Sequence, residues 1–188
     1  MSLRWLLAVL LLVCVAWVGA ATAWQLSQVG VHQGYAPQQP IAFSHKLHAG
    51  DTHIPCLYCH FGARRGRHAG IPPANVCMNC HSILKRQSVE IEKLKEWVER
   101  RRPIEWIKVH NLPDFVYFDH SRHVLSDVPC QECHGPVESM ERVRQWAPLT
   151  MAWCLDCHRR RATAALTRTS VPHDLGLQAN LDCGKCHY

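Results

Sequence analysis

The chain has 188 residues, with 21 Lys and Arg against 15 Asp and Glu, and a formal net charge of +6 with histidine neutral. Eleven prolines and ten glycines break it too often for a regular sheet and favour loops joined by short helices. Eleven cysteines and fourteen histidines dominate the composition, and the positive balance alone implies no nucleic-acid partner.

After Arg4, residues 5–24 carry no charge, a stretch long enough to cross a bilayer core of about 30 Å as a helix. Trp5 and Trp24 bracket it, where aromatic belts lie. Arg4 on the N-terminal side, with no further charge until Lys46, directs the N-terminus inside and the remainder outside. The alternative is a cleaved signal peptide ending at "ATA", residues 21–23. The apolar run is longer than a usual signal core, so a retained anchor is expected over residues 1–25, then a linker over 26–40 and a domain over 41–188. That placement is the cytoplasmic membrane, single-pass, with the domain on the extracytoplasmic side. Cys14 lies inside the span; Val13 is too large for a lipobox, so Cys14 reads as an inert packing residue.

Residues 43–81 hold two CxxCH motifs, Cys56/Cys59/His60 and Cys77/Cys80/His81. "SVEIEKLKEWVERRRP" then predicts a helix: Ser88 is a suitable N-cap, Ile91, Leu94 and Val98 make an apolar stripe, and Pro103 stops it. Residues 118–158 repeat the first block with Cys130/Cys133/His134 and Cys154/Cys157/His158, and residues 171–188 end in Cys183/Cys186/His187. "FSHKLHAGDTHIPCLYCH" and "FDHSRHVLSDVPCQECH" share Phe, His, two residues, His, and a proline directly before CxxCH. Each is followed by a second motif type, "PPANVCMNCH" and "PLTMAWCLDCH". The last stretch is half a copy: His173 precedes Cys183, and Gly176 stands where the second histidine would be.

Ten of the eleven cysteines thus fall in five CxxCH motifs, where a random chain of this composition would hold about 0.05. Two thiols at this spacing reach the two vinyl groups of one porphyrin, and the next histidine ligates the iron from one side. Zinc would need four ligands converging on each metal and leaves five adjacent histidines unexplained. A dithiol redox pair would not be repeated five times. The reading is five covalently bound haem c, with thioethers at Cys56, Cys59, Cys77, Cys80, Cys130, Cys133, Cys154, Cys157, Cys183 and Cys186. His60, His81, His134, His158 and His187 are the proximal iron ligands. About 33 residues remain per haem, too few for a conventional core, so the porphyrins must themselves be the core. The expected fold class is a mostly irregular and α-helical multihaem cytochrome c domain organised around five covalent haems, plus one N-terminal transmembrane helix.

Nine other histidines are available for the opposite faces of five irons. His45, His120 and His173 sit ten or eleven residues before their own CxxCH, a natural reach for capping haems 1, 3 and 5. His48 and His123 lie three residues further on, turned by about 60° on a helix, and so point at other irons, those of haems 2 and 4. His110 and His68 are the alternates; His32 and His53 read as solvated or hydrogen-bonding residues. Met78, Met140 and Met151 could offer thioethers but read as packing residues.

Ten propionates and five ferric irons would bring the oxidised protein to about +1 and the reduced one to about −4, which removes the case for an anionic partner. Arginines 64, 65 and 67, 100–102 and 159–161 are candidate propionate partners; for 100–102 a solvated basic face is the equal alternative.

In "GIPPANVCMNCH", "WIKVHNLPDFVYFDHSRH" and "PLTMAWCLDCHR" the chain resembles multihaem cytochromes of the c3/c7 pattern. Within that pattern it most resembles the pentahaem cytochrome c component of bacterial alternative complex III, over about residues 41–187 plus the anchor. The resemblance implies FxHxxH histidines that ligate two different haems, bis-histidine iron, and a histidine in the position of His110. It implies an iron–sulfur subunit, NrfD-like quinol-oxidising membrane subunits and a monohaem cytochrome as partners, with a soluble cytochrome, copper protein or terminal oxidase as acceptor. The multihaem subunit of quinone reductase complexes shares much of the pattern, which leaves the direction of electron flow open.

Three functions compete: an electron-relay subunit, itself not an enzyme, in a quinol-linked membrane complex; a self-sufficient NrfH-like quinol dehydrogenase; and a reductase with substrate on an open iron. The third needs a five-coordinate haem, and all five motifs are intact with histidines to spare. The second is weakened by a single span without an ionisable residue to handle quinol protons. The relay is the expectation.

Overall fold

The structure, a computed structural model, describes residues 2–167 and 181–187. It falls into two compact units, residues 1–31 and 32–188. The first is the helix α1 (Leu3–Ser27), 25 residues with a mean hydropathy of 2.5 and no buried side chain. It is the one helix among the described residues long and apolar enough to cross a membrane. Its hydroxyls are satisfied within the helix, Thr22 donating to the Val18 carbonyl and Ser27 to that of Trp24.

The second unit consists of short helical pieces joined by irregular chain, as the spacing of proline and glycine predicts. Among the described residues it has no strand; Val116 and His187 form an isolated antiparallel bridge. In chain order there are a π-helical turn (Lys46–Asp51), α2 (Cys56–Cys59), a 3-10 turn (Phe61–Arg64), α3 (Ala74–His81) and α4 (Val89–Glu99). Then follow α5 (His120–Leu125), α6 (Cys130–His134), a 3-10 turn (Val137–Ser139), α7 (Met151–Thr167) and a 3-10 turn (Cys183–Lys185).

Proline starts three of the motif helices. Pro55, Pro73 and Pro129 are the N-caps of α2, α3 and α6, with φ of −61°, −64° and −59° and ψ of 140°, 153° and 140°. Fixed φ and a missing N–H are harmless at a helix start, and the Pro55, Pro73 and Pro129 carbonyls accept the first turn's bonds from Tyr58, Val76 and Glu132. The proline shared by the two repeats therefore sets where each CxxCH turn begins.

The predicted helix at residues 88–103 is α4. Ser88 is its N-cap with extended backbone; its side chain makes no capping bond, and its carbonyl accepts from Glu92. Ile91 and Leu94 are buried against Ile41, with Ala74, Cys77, Met78, Trp97, Ile104 and Trp106 packed around them. Val98 departs from the expected stripe. It is 37 % exposed, and Trp97 packs on the cluster instead, because an indole at the position three after Leu94 covers more apolar surface than a valine at four. Glu90 accepts a hydrogen bond from the Ala42 amide at 2.7 Å, which draws the segment carrying Ile41 onto the helix. Beyond this cluster the buried apolar residues among those described are few: Ala63, Val109, Met140 and Ala147.

Candidate functional site

Two kinds of turn carry the paired histidines. His45 and His48 open the Lys46–Asp51 turn, with the Leu47 amide donating to Ser44 Oγ at 3.1 Å. His120 and His123 lie on α5, whose N-cap Asp119 accepts from the Ser121 amide at 2.8 Å. Phe43 and Phe118 hold these rings in the same way. Phe43 stacks on His48 (centroids 4.3 Å) and meets His45 edge-on (4.9 Å). Phe118 stacks on His123 (4.6 Å) and meets His120 edge-on (4.8 Å). These two phenylalanines are positioning residues that sequence reasoning passed over, although the repeat displays one in each copy.

Each of these histidines faces one CxxCH histidine. Ring centroids are 6.4 Å apart for His45 and His60, 6.1 Å for His48 and His81, 6.3 Å for His120 and His134, and 6.1 Å for His123 and His158. The first and third pairs are nearly parallel, at 6° and 9°. Two imidazoles bound through nitrogen to opposite faces of one metal, at about 2.0 Å per bond with each ring centre about 1.1 Å behind its nitrogen, have centroids about 6.2 Å apart. A direct imidazole–imidazole contact would bring the rings closer. The spacing fits haem iron between each pair.

The other ring nitrogens agree. The Nδ1 atoms of His48, His60, His81, His120 and His123 lie 2.6 to 3.2 Å from the carbonyls of Ser44, Gly70, Leu84, Arg67 and Asp119. A proton held on Nδ1 leaves the Nε2 lone pair for a metal. His45 Nδ1 is buried without a hydrogen-bond partner. Burial, reinforced by His60, His48 and His110, lowers His45 to about 4. Burial, then His110, His120, His60 and His45, lowers His134 to about 3. His110 and His123 are also lowered, chiefly by burial. These imidazoles are neutral at neutral pH, the form that ligates.

The remaining candidates are placed as follows. His187 stacks on Phe115 with centroids 5.9 Å apart, and the Cys186 carbonyl accepts from the Tyr117 amide at 2.7 Å. His173, its expected partner, lies outside the described residues. His110 meets His134 at 3.1 Å through Nε2 and Nδ1, while His68 is exposed. His32 meets Tyr35 edge-on at 6.3 Å. Met140 is buried and Met78 packs on the apolar cluster, but Met151 is 65 % exposed. Arg67 covers the Tyr117 ring at 3.9 Å, and Arg100, Arg102 and Arg160 pair with Glu96, Glu105 and Asp156 on the exposed surface.

The motif cysteines lie near those of other motifs. Burial raises Cys59, helped by Cys77, Cys56 and Cys80. Burial raises Cys130, whose thiol hydrogen-bonds with that of Cys56. Burial pushes Cys133 up to about 11, reinforced by Cys157 and Cys154. Burial raises Cys154, with Cys186 the next influence. The first motif thus touches the third through Cys56 and Cys130.

The two repeats also clasp each other. The His120 and Ser121 amides donate to the Arg67 and Gly66 carbonyls, beyond the turn that follows the first motif. Reciprocally, the Lys46 amide donates to Met140, beyond the turn that follows the third, and Ser44 Oγ donates to Glu141 at 2.6 Å. Gly50 lies so close to the Glu138 carbonyl that a Cβ would collide with it.

Comparison with known proteins agrees with this chemistry. Residues 116–188 match the family described as cytochrome c7 and related cytochrome c. The chain is also 36 % identical over 98 residues to the menaquinone reductase multiheme cytochrome c subunit of Nitratidesulfovibrio vulgaris (strain Hildenborough). That match covers 52 % of this chain and 46 % of the relative, so the chain spans about half the length of the curated protein it matches.

Proposed function

We propose that this chain is a membrane-anchored pentahaem cytochrome c subunit that relays electrons within a quinone- or quinol-linked oxidoreductase complex. The observation that carries the reading is the set of four imidazole pairs at 6.1 to 6.4 Å, each joining one CxxCH histidine to one FxHxxH histidine. Bound haem c supplies a reversible one-electron iron couple. The chain's own residues do the rest. The cysteine pairs would hold five porphyrins covalently, the histidine pairs would ligate four of the irons, and His173 with His187 would serve the fifth.

With a histidine pair for each of four irons, and His173 proposed beside His187 for the fifth, no iron would be left open to substrate, which supports a relay rather than a reductase. The Cys56 and Cys130 thiols, hydrogen-bonded to each other, support electron passage between the first and third sites. Helix α1 holds the chain at the membrane, with the haem domain on the extracytoplasmic side. The partners are those of such a complex: an iron–sulfur subunit, NrfD-like membrane subunits and a monohaem cytochrome. The similarity to a menaquinone reductase component supports the quinone link. The "VHNLPDF" and "PPANVCMNCH" stretches support the pentahaem cytochrome of alternative complex III, whose electrons leave to a cytochrome, copper protein or oxidase.

The test is reduction of the purified chain in mild detergent by dithionite and by a quinol analogue, beside the complex that copurifies with it. Dithionite is expected to reduce all five haems in both, and quinol only those in the complex. Fast quinol reduction of the isolated chain would replace the relay with a direct quinol dehydrogenase.

A further inference from the structure

Five of the paired imidazoles turn Nδ1 toward a peptide carbonyl. His134 is different: its Nδ1 lies 3.1 Å from Nε2 of His110, with the rings at 82° and their centroids 4.4 Å apart. A histidine that gives Nε2 to a metal as a neutral imidazole keeps its proton on Nδ1. His134 is therefore the donor in this bond. His110 accepts at Nε2 and carries its own proton on Nδ1.

His110 is held in place from both sides. Val109 before it is buried, and the Asn111 amide after it donates to Oε1 of Gln145 at 3.0 Å. Gln145 is fully buried, and its main chain bonds to Gly34 and Tyr35. A loop so anchored presents its imidazole at a fixed distance from His134. His120 already faces His134 at the spacing of an axial pair, so His110 is surplus to the third iron's ligand set.

We propose that His110 is a positioning residue for the third haem site, orienting His134 and making it a stronger electron donor than a carbonyl-backed proximal histidine. The inference rests on the haem-relay reading above. An imidazole nitrogen is a far stronger base than an amide oxygen and draws the Nδ1 proton further toward itself. His134 thereby gains imidazolate character, and the oxidised state of its iron is favoured. The third site lies where the two repeats meet, its Cys130 thiol hydrogen-bonded with Cys56 of the first. Its potential, lowered by His110, then governs passage between them.

The test is a spectropotentiometric titration of the full-length holoprotein, wild type and His110→Phe, with electron paramagnetic resonance on each. His110→Phe removes the acceptor and retains an aromatic ring. The expected result is an upward shift of one midpoint potential among five, by about tenfold in its reduction equilibrium, or about 59 mV for a one-electron couple. All five haems remain low-spin. His110→Gln, whose amide oxygen restores a carbonyl acceptor, is expected to bring that potential part of the way back; this variant carries the test if the phenylalanine variant does not fold. His120→Met, which changes the axial ligand of the third iron, is expected to move the same centre. Unchanged potentials in His110→Phe and His110→Gln, or movement of a different centre, would overturn the proposal. A stoichiometric high-spin signal in His110→Phe would overturn it too, by making His110 an iron ligand. Failure of the underlying reading is distinguishable, because wild type would then lack five low-spin haems before any substitution.

Discussion

Gln145→Leu removes an amide from a fully buried position while keeping nearly the same volume. Gln145 Oε1 accepts from the Asn111 amide at 3.0 Å, and its Nε2 donates to the Ala147 carbonyl at 3.2 Å and, at the limit of length, to Pro148. Its main-chain bonds to Gly34 and Tyr35 do not depend on the side chain and survive. The substitution therefore leaves the half-buried Asn111 amide and the buried Ala147 carbonyl without these partners, at about 1–3 kcal/mol each, for a loss of about 2–6 kcal/mol. A chain of this length loses about 2–4 °C of Tm per kcal/mol, so the midpoint is expected to fall by about 5–20 °C. Thermal unfolding of the holoprotein in detergent, followed by Soret circular dichroism, measures it. A loss below about 0.5 kcal/mol would refute the reasoning, since the amide would then not be what ties the segment after His110 to the repeat junction.

His123→Ala is expected to convert one low-spin haem to high-spin and leave the others untouched, as read by electron paramagnetic resonance; two altered haems would break the pairing with His158. Gly135→Ala is expected to cost about 2 kcal/mol in denaturant unfolding, because Gly135 has φ of +69° and a Cβ there would collide with the Trp146 indole. Gly66→Ala, with open space around it and ordinary φ, is the neutral control. Replacing residues 2–27 by a cleavable export signal is expected to move the haem domain, fully loaded, into the soluble fraction; persistent membrane binding would assign attachment to partners.

How far the sequence could be read follows from the range of each signal. The CxxCH motifs, the His-x-x-His spacing and the start of α4 at Ser88 are local, and short-range geometry determines them. The exposure of Val98 was not legible, because the stripe rule leaves two neighbouring positions and only tertiary packing makes Trp97 the buried one. Phe43 and Phe118 stood in the repeat, but their hold on two rings each comes from the turn's three-dimensional path. His110 could be read only as a spare ligand. Its contact with His134 spans 24 residues and depends on Gln145, which no periodicity marks. The meeting of Cys56 with Cys130 was likewise invisible, since it arises from different motifs meeting in space.

The reciprocal clasp has a consequence for how the protein is made. Ser44 reaches Glu141 across 97 residues, and His120 reaches Arg67 across 53. A chain made N-terminus first therefore presents its first two CxxCH motifs long before the turn that supports His45 and His48 has emerged. Contacts of such separation form late, after a large loop has closed. In the pentahaem reading proposed above, haem attachment would meet these motifs on open chain, and the histidine turns would close over the porphyrins only when the second repeat arrives.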